Sequence, residues 1–513
     1  MNDKICGYFL DKQQQEIVLD NSKNLLVVAG AGSGKTLTIL GKINYLIKYK
    51  NILPSEILCI SFTRASSNSL KEKIKKEFNI ELPVYTFHKL SVDILKEKEQ
   101  FNIADTNTLD NIIHHFLYID ILASNKQMNN VLNYFNEQTI SDIKKQYLEF
   151  CFSNNNKIEL LQHLLLTFIK LFKCNNHCLI DFKFFLKKTK KTIFYNRYKK
   201  EKIILTLALN ICLNYEEYLS NNNEIDFDDM IIKAREHVNK YGISNKYKYV
   251  IIDEYQDTSY IRFLLVKSIL DKTGAHLMVV GDDFQSIYRF TGCDVSLFLD
   301  FNKYFNDAKA MKIENTYRNS EELINVAGSF VMRNKRQIKK RLKSNKHIIK
   351  PIEIIYYKDI KRAFISLVEK IYFDNRKPIM ILGRNNNDIN MVLSEKVKLH
   401  NNGKINYLGN EDIEMYYLTS HKSKGLEEEN VIILNLEDKL LGFPNKIIDD
   451  KVLRFVSFQS DKYPYSEERR LFYVALTRTK NKVYLLVPKK NPSIFIRELI
   501  SNYSSKINIS TSL

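Results

Sequence analysis

The sequence predicts an α/β protein made of two parallel-sheet cores, with a mostly α-helical insertion in the first. Three observations lead there. Short apolar runs alternate with amphipathic stretches up to about residue 90; a block without Pro or Gly runs from Ser91 to Glu224; strand–helix alternation then resumes. Leu25–Val28, Ile57–Phe62 and Pro83–Thr86 read as buried strands, with helices at Lys35–Ile47 and Leu70–Phe78 between them. In the Pro- and Gly-free block, long Leu/Ile/Phe patterns broken by Asn-rich turns imply packed helices. Tyr249–Ile252 and Leu277–Val280 return to the first core. Ala310–Ile313, Ile352–Tyr356, Ile379–Leu382, Val431–Leu434 and Val483–Val487 read as strands of the second. The expected division is 1–90 plus 225–305, the insertion 91–224, and 306–513.

The chain has 513 residues, 44% hydrophobic and 27% charged, which is the balance of a globular protein able to bury several cores. Lys and Arg number 78 against 59 Asp and Glu, a net charge of +19 that favours a polyanionic partner. Seven cysteines in such a length argue against a disulfide-built secreted scaffold. No apolar run approaches the ~18 residues of a membrane span, and the N-terminal segment lacks a signal-like apolar stretch. The expectation is a cytoplasmic protein with an anionic partner and no membrane association.

The strongest chemical signal follows the first strand. Ala29-Gly30-Ala31-Gly32-Ser33-Gly34-Lys35-Thr36 is a phosphate-binding loop with Ala29 in the place of its usual first Gly. The glycines let backbone amides turn inward around phosphate oxygens, and Lys35 adds a point charge on the β and γ phosphates. The Thr36 hydroxyl suits Mg²⁺, and the helix that follows aims its positive end at the same anion. Acids at the end of a parallel strand sit where ligands bind. Asp253 and Glu254 end the run Tyr249–Ile252, so Asp253 is the expected Mg²⁺ partner and Glu254 the group that polarises the attacking water.

With these in place, a series of further segments resembles the motifs of superfamily 1 DNA helicases of the UvrD/Rep type, most closely helicase IV. Leu10-Asp11 with Gln14 is similar to the adenine-reading Q motif. Cys59 to Arg64 and Thr86-Phe87-His88 are similar to the early DNA-contacting motifs. Asp226-Phe227-Asp228-Asp229 resembles the segment closing the inserted helical domain. Gly281 to Phe290 resembles motif III, Asn315 to Arg318 motif IV, Leu418 to Glu427 motif V, and Glu467 to Arg478 motif VI. The matches keep the family's order from residue 10 to about 487.

The resemblance implies two RecA-like cores flanking an ATP cleft and a 3′→5′ motor on single-stranded DNA and DNA junctions. It implies that Gln285 senses the γ-phosphate, Tyr317 stacks on adenine, Glu427 bonds ribose, and Arg318 and Arg478 act as arginine fingers. ATP contacts would come from Gln14, Ala29 to Thr36, Tyr317, Arg318, Glu427 and Arg478. DNA contacts would come from Thr63, His88, Tyr288, Phe290, Thr419 and His421. Phe290 stands where many relatives carry Trp, and Glu428 where relatives carry an aromatic. Between Arg384 and Met415 lie 30 residues, where UvrD and Rep insert a whole domain called 2B. The expectation is a 2B reduced to about 385–415.

Two basic segments remain. Residues 182–202 hold nine Lys/Arg and six aromatics, for which DNA contact and a solvated helix face both stay open. Residues 333–350 hold nine Lys/Arg and no acid, and a DNA-backbone contact is expected there. Cys174, His177 and Cys178 have irregular spacing for zinc, and plain thiols are the preferred reading. The function expected is an ATP- and Mg²⁺-dependent DNA translocase or helicase in repair, recombination or defence. The alternatives are an ATP-driven nucleoprotein remodeller and an ATPase subunit that depends on a protein partner, such as a nuclease.

Overall fold

The computed structural model describes residues 4–96, 100–137, 141–189, 195–457 and 461–511. In chain order its strands are β1 (Asn24–Ala29), β2 (Ile57–Ser61), β3 (Val84–Thr86), β4 (Asn102–Ile103), β5 (Glu224–Ile225), β6 (Tyr249–Ile252), β7 (His276–Gly281) and β8 (Ala308–Ile313). They continue as β9 (Ile352–Tyr357), β10 (Ile379–Gly383), β11 (Val397–Leu399), β12 (Lys404–Tyr407), β13 (Met415–Thr419), β14 (Glu428–Ile433), β15 (Thr479–Pro488) and β16 (Ile507–Thr511).

The first core is a six-stranded, all-parallel sheet in the order β3-β2-β6-β7-β1-β8. Helices cover both faces, which is why β1, β2 and β7 are near-continuous apolar runs rather than alternating ones. The second sheet runs β11-β12-β13-β10-β14-β15-β9-β16. Its central strands are parallel, and β11 and β12 form an antiparallel hairpin added to the edge at β13. That hairpin, with a short 3₁₀ turn at Asn386–Met391, makes up the segment 385–415.

Two expected boundaries move. The strand expected at Ala310–Ile313 does not open the second core; β8 pairs in parallel with β1 across six positions, from Asn24↔Ala308 to Ala29↔Ile313. It is an edge strand with three exposed lysine or alanine positions, so its alternating sequence carries no mark of which sheet it joins. The boundary at residue 90 falls inside the helix Phe87–Leu95, whose Leu90 and Ile94 pack in the first core.

The insertion is helical as expected, from Thr108–Tyr118 to Tyr195–Asn221, and the short parallel pair β4–β5 ties its base. Its core is not closed by its own residues. After β14 the chain leaves the second core as a strap, 434–457, and the turn Lys451–Phe455 inserts into the helical bundle. Val452 and Val456 of the strap are buried among Phe168, Phe185 and Leu207 of the insertion's cluster. Burying an aliphatic side chain of this kind contributes about 1.5–3 kcal/mol. The Arg454 guanidinium forks onto the buried Glu201 carboxylate, at 2.7 Å for Nη2–Oε2. This accounts for the one acid in the basic segment 182–202; Phe182 and Phe185 of that segment point into the bundle, and residues 190–194 lie outside the described ones.

The other basic segment is in part taken up by internal contacts. In 333–350, Lys340 is buried with its ammonium on Asp283 (2.8 Å) and on Asp282, above the Phe284 ring. Arg333 pairs with Glu498 at 3.2 Å, and the Lys346 ammonium donates to the Lys480 carbonyl. Lys340 braces the protein where buried carboxylates need a partner, whereas the other cations of the segment are exposed.

Burial works against the Lys340 charge, yet two carboxylates raise its pKa above the ordinary lysine value. Removing the ammonium leaves those carboxylates buried and unpaired. Lys340→Met is expected to cost about 3–5 kcal/mol by urea unfolding, while Lys309→Ala, at a half-exposed pair with Asp20, costs under about 1 kcal/mol. A Lys340→Met loss no larger than the Lys309→Ala loss would refute the buried-brace assignment.

Candidate nucleotide and nucleic-acid site

The loop after β1 is shaped by its neighbours. Gly32 and Gly34 have φ of 68° and 79°, the left-handed region. A Cβ on Gly32 would stand 2.5 Å from Arg318 Cβ, and one on Gly34 would stand 2.8 Å from Gln14 Nε2. The Ala31 carbonyl accepts from Thr316 Oγ1 (2.7 Å), that of Gly32 from the Tyr317 amide (2.9 Å), and that of Ser33 from Gln14 Nε2 (3.2 Å). In a trans peptide N–H and C=O point opposite ways, so tethering these carbonyls outward turns the Gly32 and Gly34 amides the other way. The helix Lys35–Lys50 starts directly behind them.

Gln14 and Tyr317 are brought together through Asp11. Asp11 caps the helix Lys12–Leu19 in a reciprocal box with Gln14, and its Oδ2 accepts from the Tyr317 hydroxyl (2.8 Å) and from Asn315 Nδ2 (3.0 Å). The Tyr317 ring stays 60% exposed beside the loop, open to stacking.

Lys35 Nζ lies 2.5 Å from Glu254 Oε1. Glu254 adopts φ 52°, a strained conformation worth about 1–3 kcal/mol in a residue other than Gly. It is held there by the hydrogen bond its amide N–H donates to Asp253 Oδ1 (2.9 Å) and by the one Gln256 Nε2 donates to its Oε2 (2.6 Å). Burial opposes the Glu254 charge, but the Lys35 and Lys424 ammoniums hold its pKa below the usual carboxylate range. Burial, and then the Glu254 charge, push Asp253 the other way. Thr36 and Asp253 offer oxygen donors only, and a desolvated carboxylate pair is complementary to a hard divalent cation, so the residues fit Mg²⁺.

From the second sheet, Arg478 follows the helix Ser466–Leu476 and is 1% exposed. Its guanidinium donates to the carbonyls of Val474 (2.9 Å) and Leu426 (3.1 Å), to Gln285 Oε1 (3.3 Å) and to Thr477 Oγ1 (3.3 Å). All four are neutral oxygens, and among the described residues no carboxylate forms an ion pair with it. Arg318 differs: its Nε lies 2.6 Å from Glu427 Oε2, and Glu427 also takes Lys480 at 3.1 Å. Gln285 Nε2 donates to Asp282 at 2.7 Å.

A cavity of about 1170 Å³ opens beside this cleft and is lined by Tyr288, Phe290, Thr419 and His421. Phe290 is 57% exposed and meets His421 edge-on at 5.5 Å, while the Tyr288 hydroxyl donates to the His421 carbonyl (3.2 Å). Thr63 and His88 do not line it. Thr63 Oγ1 caps the helix Arg64–Phe78, and His88 packs against Phe227 at 5.2 Å.

The UvrD/REP helicase N-terminal domain matches residues 10–306, and the UvrD-like helicase C-terminal domain matches residues 391–490. The chain belongs to the UvrD/Rep helicase family. It is 26% identical over 502 residues to DNA helicase IV of Escherichia coli K12, covering 96% of this chain and 70% of that protein. It is 30% identical over 352 residues to a probable DNA helicase II homolog of Mycoplasma capricolum, covering 66% of this chain and 42% of that protein. It is 26% identical over 518 residues to the ATP-dependent DNA helicase PcrA of Staphylococcus aureus Mu50, covering 98% of this chain and 59% of that protein. The chain thus spans under two thirds of the length of the last two.

In this UvrD/Rep-family chain several site residues escaped the sequence reading. Lys424 reaches across the cleft from the second core to the buried Asp257 carboxylate and donates to the Gln285 carbonyl (2.7 Å). It stood inside a recognised motif, but only the packing shows its partner. Phe62 stacks on Tyr288 at 6.0 Å with the rings 9° apart, and Arg262 covers Phe62 at 4.9 Å. Glu428, out of pattern in the sequence, accepts from the Tyr416 hydroxyl at 3.1 Å. Cys174 lies 3.4 Å from Asp228 Oδ1, whereas Cys178 is exposed and its amide donates to Asp181 (3.0 Å). Among the described residues no helix is long and apolar enough to cross a membrane.

Burial, then the Arg384 and Lys424 cations, pull the His421 pKa down to about 4. The folded chain therefore keeps His421 neutral in a window where an unfolded histidine, of pKa about 6.5, takes up a proton. Stability from this group is full above about pH 6.5 and declines as pH falls towards 4, by up to about 1.4 kcal/mol per pH unit. In parallel urea melts, wild type is expected to lose stability relative to His421→Asn on acidification through that window. A pH-independent difference would show that His421 is not desolvated.

Proposed function

We propose that this chain is an ATP- and Mg²⁺-dependent motor that translocates 3′→5′ along single-stranded DNA and opens DNA junctions. The observation that carries the proposal is Arg478. A fully buried cation with only neutral oxygens around it is costly unless an anion completes the site. It bridges from the second core to Gln285 of the first, and the phosphate loop belongs to that same first core. A triphosphate on the loop would give Lys35 a stronger anionic partner than Glu254, freeing that carboxylate to orient water. When bound, Mg²⁺ held by Thr36 and Asp253 would neutralise phosphate charge. Arg478 would stabilise the charge developing on the γ-phosphate, and Arg318 would join it by exchanging Glu427 for phosphate.

Contacts that exist only with the γ-phosphate favour the closed pair of cores, so hydrolysis releases them, a differential-binding cycle. Gln285 and Lys424 couple that cycle to Tyr288, whose ring lies 4.9 Å under the Lys424 ammonium. Tyr288, Phe290 and His421 supply stacking faces for bases, with Thr419 beside them. Repair, recombination or defence in the cytoplasm is the setting proposed, and a nuclease or repair component is the kind of protein partner that fits.

The test is steady-state ATP hydrolysis with and without single-stranded DNA. Single strands are expected to stimulate turnover strongly and duplex weakly. Lys35→Ala is expected to abolish hydrolysis while sparing DNA binding, a loss of at least about a thousandfold if the charge acts in the transition state. Glu254→Gln is expected to bind ATP but hydrolyse it poorly. Turnover at wild-type levels in Lys35→Ala would sink the site assignment.

A further inference from the structure

We propose that Gln256 is a positioning residue for ATP hydrolysis, which aims the Glu254 carboxylate at the attacking water. The proposal rests on the role given to Glu254 under Proposed function, and it turns on what remains around that carboxylate once a nucleotide has arrived. Among the described residues two side chains hydrogen-bond to it: Lys35 Nζ at Oε1 (2.5 Å) and Gln256 Nε2 at Oε2 (2.6 Å). A triphosphate on the loop would draw Lys35 away. Oε1 is then free to face water, and Gln256 is the donor left to fix the group through Oε2. Glu254 needs such a hold. Its backbone sits at φ 52°, and the terminal torsion of a Glu side chain has only broad preferences of its own.

Gln256 is itself firmly anchored. It is fully buried in the turn Tyr255–Asp257 that follows β6. Its Oε1 accepts from the Asp282 amide (3.0 Å), its main-chain carbonyl accepts from the Ser286 hydroxyl (3.2 Å), and Nε2 also reaches Asp257 Oδ2 (3.3 Å). With an amide N–H on one side and two carboxylates on the other, a single orientation of the side-chain amide satisfies every partner. The approach to β7 is close. A Cβ on Gly281 would stand 2.3 Å from Gln256 Oε1 and 2.7 Å from Phe298 Cε2. Gly281 does not have a left-handed φ, so these contacts, and not the backbone conformation, bar a side chain there. The strand behind the contact is paired on both sides, with β6 and with β1.

The chemistry of the donor suits the task. A neutral amide orients a carboxylate without adding a second full positive charge, which would lower its basicity further.

The experiment measures kcat and KM for ATP at saturating oligo-dT, from about pH 6 to about pH 9, in wild type, Gln256→Ala and Gln256→Glu. Gln256→Ala is expected to lower kcat about a hundredfold with little change in KM, because the chemical step loses its aim while the phosphate loop is untouched. Gln256→Glu gives the sharper test. When protonated, its carbonyl accepts from Asp282 and its hydroxyl donates to Glu254, as the amide did. When ionised, it sets a further carboxylate against Glu254 and Asp257, whose partners are Lys35 and Lys424. Around them stand Asp253, the Asp282–Lys340 pair, and Arg262 on the Asp257 carbonyl. Burial and the facing carboxylates hold that proton to higher pH than in an ordinary glutamic acid. The ratio of variant to wild-type kcat is therefore expected to fall as pH rises, by up to about tenfold per pH unit. Recovery at low pH within one preparation excludes misfolding as the cause. A ratio independent of pH would mark a merely structural loss and overturn the proposal. Wild-type kcat in Gln256→Ala, or a raised KM with kcat unchanged, would overturn it too. Glu254→Gln, run alongside, separates the two levels. Wild-type hydrolysis there would remove the role of Glu254 itself, whereas poor hydrolysis there beside full activity in Gln256→Ala would overturn the positioning alone.

Discussion

The cleft between the two sheets is held by charges that are largely shielded from water, and most of the site follows from the need to partner those charges. Lys424 of the second core sets its ammonium on Asp257 of the first, and both are buried. Asp253, Glu254 and Asp257 crowd the ends of β6 and the turn after it, so their mutual repulsion has to be met by Lys35 and Lys424. In a low-dielectric cleft such groups form a network in which moving one partner obliges the next to move. A polyphosphate entering it is a new set of anions competing for the same few cations. In the proposed motor, that competition would couple nucleotide state to the distance between the cores.

The phosphate loop shows the same dependence at the level of the backbone. Its glycines admit the turn, but three successive carbonyls are tethered by Thr316, Tyr317 and Gln14, 19 to 285 residues away in sequence. The connecting segment after β8 therefore shapes the loop after β1 and joins the two cores at once. Asp11 extends the link, since it caps the first helix and also holds the Tyr317 hydroxyl.

The helical insertion is less independent than its sequence implies. Its cluster includes side chains from a strap that leaves the second core about 250 residues later, so the bundle belongs to neither core alone. Two features of 182–202 belong to that docking: Phe185 meets Phe455, and the segment's one acid, Glu201, meets Arg454. Lys340 makes the same point for the segment 333–350, where a run of positive charge conceals a buried brace.

By itself the sequence determined the two α/β cores, the helical insertion, the phosphate loop, the acids after β6 and the order of the motifs. These are local: a glycine-rich turn, an apolar run ending in acids and an amphipathic period each act over a few residues, where chain geometry leaves few choices. Only the tertiary structure decided that β8 completes the first sheet, that Lys424 partners Asp257, that Arg318 rests on Glu427 while Arg478 rests on neutral oxygens, and that the strap finishes the core of the insertion. Each of these joins residues far apart in the chain. An alternating edge strand or a lone lysine looks the same whichever partner it finds, and burial, with the cost of leaving a charge or an apolar face unmatched, selects the partner.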